Sequence, residues 1–198
     1  MDADAPSAKA EAILAAAVAE FQEHGFAAAS MDRVTARAGV SKRTVYRHFE
    51  SKENLFRAII ERMGRRMVAA LDVVFDPARP IEEQLRAVAW AEGRLLMEEE
   101  TLRMARMVLA EGLQRPGVAE AILAGIDPTA GIRRFLQAAT AAGALAAADP
   151  ETATAELLGL IKSRAFWPRL TDARPLTEDE MRPVVESTVA MMMARYGA

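Results

Sequence analysis

The sequence predicts an all-α protein. Three observations carry that expectation: alanine is abundant, apolar residues recur at three- and four-residue spacing almost throughout, and the two-residue alternation of a strand is scarce. A chain of 198 residues has room for one ordinary domain, or for a small module joined to a larger body. With 52% apolar and 27% charged residues the composition is globular.

The first helix is expected from Ser7 to His24, with Ile13, Ala17 and Phe21 on one stripe and Leu14 and Val18 beside it. His24-Gly25 ends it, because glycine takes the left-handed conformation that closes a helix and a histidine suits the last turn. Ser30 caps a short second helix, Met31 to Ala38, with Asp32 near its positive dipole end. Gly39-Val40-Ser41 interrupts, and Ser41 caps a third helix from Lys42 to Phe49. Ser51 then caps a fourth, expected from Lys52 to Phe75. Asp76-Pro77-Ala78-Arg79-Pro80 breaks the chain. Further helices are expected at 81–98, 101–114, 117–125, 129–142, 151–166 and 177–196, with a loop opened by Trp167-Pro168 and continuing to Pro175.

Several function classes drop out on composition. There is no cysteine, which removes disulfides, thiol chemistry and Cys-ligated metals. His24 and His48 are the only histidines, too few for a His-rich metal site. The longest uncharged stretch, Phe135–Ala148, falls short of the roughly 20 apolar residues that span a bilayer. The opening Met-Asp-Ala-Asp is acidic where a signal peptide is basic, so a cytoplasmic protein without membrane partners is expected. No grouping of residues resembles a catalytic constellation, and neither enzymatic activity nor a cofactor is expected, although carboxylates alone can catalyse.

The net charge of −3 argues against nucleic acid, but its distribution argues for it. From Arg33 to Phe49 the chain carries Arg33, Arg37, Lys42, Arg43 and Arg47 and no acid. A basic patch on an acidic body suits one local polyanion contact. The patch coincides with two short helices joined by a glycine-containing turn, the helix-turn-helix pattern. The third helix sets Lys42, Arg43, Thr44 and Arg47 among only three buried-type residues, Val45, Tyr46 and Phe49. Such a helix enters the major groove with its N-terminal residues at base edges. Arg43 can donate twice to guanine O6 and N7 or pair with a phosphate, and Thr44 is placed for a thymine methyl or a phosphate. Lys52 sits unfavourably at a helix N-terminus, which calls for a compensating anion; a DNA phosphate would supply one. Arg33 and Arg37 share one face and are expected to flank the DNA backbone, with ordinary solvated charges as the alternative. Phe21, Phe26, Val34, Val40 and Phe49 form the expected core of this module.

Ile13 to Phe21, His24-Gly25-Phe26, Ala36-Arg-Ala-Gly-Val-Ser41, Val45-Tyr-Arg-His-Phe49 and Ser51-Lys-Glu-Asn-Leu-Phe56 keep an order and spacing that resemble the DNA-binding domain of the tetracycline-repressor (TetR) family. Arg164 to Leu170 and the closing Val184 to Gly197 resemble the C-terminal domain of its AefR-like subgroup. The resemblance implies a helix-turn-helix domain over 1–60, a helical effector-binding and dimerisation domain over 61–198, and a homodimeric repressor on a palindromic double-stranded operator, released by a small molecule. It places Tyr46 and His48 at phosphate contacts, with a core tyrosine whose tip is solvated and an ordinary surface histidine as the alternatives. Arg43 stands where the family often has a small residue, so no operator preference carries over. An activator, or less readily a helical enzyme or carrier with a head that does not bind DNA, stays open as an alternative.

In the larger domain Trp90, Met97, Met104, Met107 and Phe166 are expected to line a hydrophobic or aromatic effector pocket, or else to fill a helical core. Leu157, Leu158 and Ile161 form one apolar face near the end, and Val184, Val185, Thr188, Val189 and Met192 another. In the family such helices pack between subunits as a four-helix bundle; the alternative is burial inside the subunit. A two-fold pair sets its heads about 34–36 Å apart, one turn of B-DNA.

Overall fold

The computed structural model describes residues 8–115, 125–172 and 174–198. Among these residues lie nine α-helices and one short 3-10 helix. They are α1 (Ala8–Ala28), α2 (Met31–Ala38), α3 (Lys42–Phe49), α4 (Lys52–Ala70), α5 (Ile81–Met97), α6 (Glu99–Gln114), α7 (Ala130–Ala141), α8 (Pro150–Ala165) and α9 (Glu178–Tyr196), with the 3-10 turn at Pro168–Leu170. The helix expected over 117–125 falls outside the described residues save for Gly125. No helix of the described residues is long and apolar enough to cross a membrane. The chain divides into two compact units, 1–63 with 103–125, and 64–102 with 126–198.

In the first unit, α1 runs unbroken to Gly25, whose φ of 73° interrupts the helix at the expected place. One more turn follows, closed by the Ala29 N–H on the Gly25 carbonyl at 3.1 Å. The buried stripe of α1 (Ile13, Leu14, Ala17, Phe21) meets Val34 of α2, Val45 of α3 and Leu55, Phe56, Ile59 and Ile60 of α4. Three phenylalanine rings knit this core: Phe21, Phe26 and Phe56 lie 4.8–5.7 Å apart, centroid to centroid. Val40 and Phe49 pack against it half-buried. Met104 and Met107, on α6, belong to the same core. They therefore do not line a pocket of the second unit, because their side chains complete the packing of the first.

In the second unit, α9 packs on α5 and α8, α5 packs on α8, and α7 covers α8. This arrangement corrects the expected dimer faces. Leu157, Leu158, Ile161, Val184, Val185, Thr188, Val189 and Met192 are all at least nine-tenths buried within the single chain. Each apolar face of α8 and α9 meets the other helix or α5, so these residues form the protomer's core.

The fourth helix ends at Ala70, not at Phe75. Residues 71–75 instead alternate, with Leu71 buried, Val73 and Phe75 packed on the core, and Asp72 and Val74 exposed. That period of two suits extended chain. α7 comes close to this segment: a Cβ on Gly131 would clash with the Leu71 carbonyl oxygen. Buried Gln84 then secures the following turn, accepting from the Asp76 N–H at 2.8 Å and donating to the Asp76 and Arg79 carbonyls at 2.9 Å.

Candidate nucleic-acid interface

Capping builds the helix-turn-helix as its sequence directs. Ser30 Oγ accepts from the Asp32 N–H at 3.2 Å to open α2. Gly39, at φ 64°, closes α2 and donates its N–H to the Ala36 carbonyl. Two residues later Ser41 Oγ accepts from the Thr44 N–H at 3.2 Å and opens α3. The left-handed conformation at Gly39 is one that residues with a Cβ adopt at a cost, which fixes glycine there.

α3 buries one edge and exposes the other. Val45 is fully buried and Phe49 half-buried, while Lys42, Arg43, Tyr46, Arg47 and His48 are exposed. Thr44 is half-buried, and its hydroxyl lies 2.8 Å from Ser41 Oγ. Among the described residues Arg43 and Arg47 have no ion-pair partner. Lys42 is shared: its Nζ lies 2.7 Å from Asp32 and 5.9 Å from the Tyr46 ring centroid, and the carboxylate holds the lysine above its ordinary range.

The basic residues outside α3 are engaged in the fold. Arg33 Nε donates to Glu20 Oε1 at 2.7 Å, and its Nη2 donates to the Ala28 carbonyl at 2.7 Å. The Ser30 N–H reaches the same carboxylate oxygen at 3.0 Å. Burial alone would raise the Glu20 carboxyl, but Arg33, the Ser30 N–H and His24 together hold it below the ordinary carboxylate range. Arg37 pairs with Glu23 at 2.5 Å.

Lys52 corrects a specific argument. The anion it needs at the start of α4 is no phosphate: its Nζ donates to the carbonyls of Phe26, Ala27 and Ala29 at 2.8, 3.0 and 3.4 Å. Partial negative charge at the end of α1 compensates the lysine, and the Phe26 ring lies 4.7 Å beneath it. Arg33 and Lys52 thus anchor α2 and α4 to the end of α1. The exposed set of sequence-predicted residues is gathered on α3.

In the second unit Trp90 and Met97 line a concavity of about 520 Å³ with Arg94, Glu178 and Arg182, the Arg182 guanidinium 5.8 Å from the indole centroid. Phe166 is not in that lining; it stacks edge-on with Trp167 at 5.0 Å. Sequence reasoning missed Glu92 altogether. It is fully buried on α5, neither carboxylate oxygen accepts a hydrogen bond among the described residues, and Lys162 Nζ is 3.5 Å away. Burial pushes its carboxyl up, and Lys162 opposes that only in part.

The comparisons with known proteins agree with this geometry. Residues 13–59 match the family described as bacterial regulatory proteins, tetR family, and residues 83–198 match the AefR-like transcriptional repressor C-terminal domain. A TetR family transcriptional regulator from Pseudomonas syringae pv. tomato is 38% identical, with 98% of this chain and 99% of that one covered and a TM-score of 0.82. The repressor SCO4008 of Streptomyces coelicolor is 38% identical over 77 residues, so the match spans 39% of this chain and 39% of that relative. The triclosan complex of SmeT, the repressor of the Stenotrophomonas maltophilia multidrug efflux pump SmeDEF, is 28% identical, with 97% and 93% covered and a TM-score of 0.72. An exposed cationic α3, a glycine-closed turn, and matches to both family domains lead to one conclusion: the chain belongs to the TetR family and is a DNA-binding transcriptional regulator.

Proposed function

We propose that the protein is a homodimeric repressor whose two α3 helices enter successive major grooves of a palindromic operator, and which leaves that operator when a small aromatic molecule binds the second unit. The single observation that carries the DNA contact is the pair of unpartnered cations, Arg43 and Arg47, on the exposed edge of α3. Arg43, in the first turn, reads a base edge; Arg47, one turn later, and the Tyr46 hydroxyl and His48 meet phosphates. The second copy packs on the outer sides of α8 and α9. There Gly159, Leu160 and Ser163 face a groove shared with Met191, and exposed Ala190 and Ala194 allow close helix approach. The concavity beside Trp90, with Arg182 over the indole, suits an aromatic effector; the triclosan complex of SmeT supports that class.

Fluorescence anisotropy on duplexes selected from genomic fragments tests the reading. Arg43→Ala is expected to weaken the selected duplex by about ten- to a hundredfold and to relax discrimination against scrambled DNA. Arg47→Ala weakens both duplexes alike and lowers the salt slope by about one per contact removed. Unchanged affinity of both variants for both duplexes overturns the contact assignment, and a stable monomer by sedimentation overturns the dimer.

A further inference from the structure

Resting on the reading of the Trp90 concavity as the effector site, we propose that the effector is an aromatic carboxylate, with its ring against Trp90 and Met97 and its charge at Arg94. Trp90, Arg94 and Met97 follow one another at four and three residues along α5. At 3.6 residues per turn they fall within about 60° around the helix and span about 10 Å along it. One face of α5 therefore presents an indole, a guanidinium and a thioether to the same space. Glu178 and Arg182, one turn apart on α9, line the other wall. The two helices pack closely at a neighbouring pair of buried residues: a Cβ on Gly93 would stand 3.2 Å from Met181 Cγ and Sδ. That contact holds both walls of the concavity, about 520 Å³ in volume, without any rearrangement on binding.

Charge selects the class. Arg182 is already committed: its Nη2 donates to Glu178 Oε1 at 3.1 Å, and its guanidinium lies 5.8 Å from the indole centroid. Those two charges answer each other. Arg94 is exposed, and its side chain has no ion-pair or hydrogen-bond partner among the described residues. Two arginines against one glutamate leave the lining net positive, and the surplus charge is the one on Arg94. A neutral aromatic ligand leaves that charge unused, and a cationic one meets it as a like charge. A carboxylate matches the planar guanidinium fork with two parallel hydrogen bonds. Arg94 stands about 6 Å along the helix from Trp90, a separation that an aryl carboxylate covers. Met97 then offers its polarisable sulfur to the ring.

NMR titration of the full chain with 2-naphthoate tests the assignment, with uncharged 2-naphthalenemethanol alongside. Trp90 and Trp167 are the only tryptophans, so Trp167→Phe assigns the two indole N–H signals. A saturable shift of the Trp90 signal is expected with 2-naphthoate while the Trp167 signal stays in place, and the alcohol should bind at least about fivefold more weakly. Arg94→Gln, at an exposed position, is expected to bring 2-naphthoate down to the affinity of the alcohol and to leave the alcohol's own affinity unchanged. Damage to the fold would weaken both compounds alike. Equal affinities of the two compounds, or a 2-naphthoate affinity untouched by Arg94→Gln, overturn the carboxylate and leave an aromatic effector site at Trp90 standing. No saturable shift of the Trp90 signal with either compound up to on the order of 10 mM overturns the site and the carboxylate together.

Discussion

Each unit of the molecule holds a glutamate closed off completely from solvent, and the two fare in opposite ways. Glu20 in the first unit and Glu92 in the second are both fully buried. Glu20 accepts from the Ser30 N–H and Arg33 Nε and lies 3.4 Å from His24 Nδ1, and its carboxyl is held down. Glu92 accepts no hydrogen bond among the described residues, faces Lys162 across 3.5 Å, and its carboxyl is pushed up. Both are closed to solvent, but Glu92 lies deeper in the protein and has fewer donors. Removing a carboxylate from water is unfavourable in both places, and only the first unit supplies enough hydrogen bonds and charge to offset that cost. The better-partnered glutamate ties the start of α2 to α1, in the DNA-binding unit, while the other has only Lys162 beside it.

The largest expected effect breaks the first half of this comparison. Glu20→Met keeps most of the volume but strands the Ser30 N–H and frees Arg33, and should destabilise the protein by about 2–3 kcal/mol. Urea denaturation read by circular dichroism measures it. DNA affinity should fall with it, because α2 loses its tie to α1. A variant with wild-type stability would show that the carboxylate only fills space.

The opposite sign is expected next. Glu92→Met removes a poorly compensated charge, while Lys162, 29% exposed, keeps access to water. Stability should rise by about 1–2 kcal/mol at pH 8. A loss of stability there would mean that Glu92 has a partner that offsets its burial.

pH separates the two sites without further substitutions. Glu20, with its folded pKa lowered, contributes stability that is present above the unfolded carboxylate range and lost as pH falls through the folded pKa. Glu92, with its folded pKa raised, imposes a penalty that grows as pH rises through the gap between its unfolded and folded values. Glu20→Met should therefore remove a loss of stability below the unfolded carboxylate range, and Glu92→Met one that sets in above it. Identical profiles for the two variants would remove the contrast.

Both glutamates were legible in part. Ile13, Ala17 and Glu20 share one stripe of α1, and Leu85, Val88, Glu92 and Leu96 one stripe of α5, so helical periodicity alone places each acid among core residues. A charged residue on a core-facing stripe does not itself say whether the fold supplies partners for it. Helix ends were clearer, because Ser30, Ser41, Ser51 and Thr177 act through bonds to residues two or three positions away. Partners far along the chain were not legible. The acid-free run from Arg33 to Phe49 looked uniformly cationic, yet Glu20 and Glu23 return to it across the fold. The last two helices showed apolar faces, but no local pattern tells a face that meets its own chain from one that meets a second copy.

The smallest expected effect sharpens the contrast between a pair whose acid is buried and a pair exposed on both sides, on the same two helices. Arg37 and Glu23 are as close as Arg33 and Glu20, but their side chains are 43% and 56% exposed. Water already solvates both charges, and ordering two long side chains costs about what the attraction returns. Arg37→Ala should change stability by about 0.5 kcal/mol or less, and that change should vanish at 1 M salt, where the Debye length is about 3 Å. Arg33→Ala leaves a buried carboxylate behind, so its cost should be several times larger and should persist in the same salt, because the unpaired Glu20 lies beyond the reach of screening ions. Equal costs for the two arginines would mean that proximity, and not burial of the acid, sets the strength of these ties.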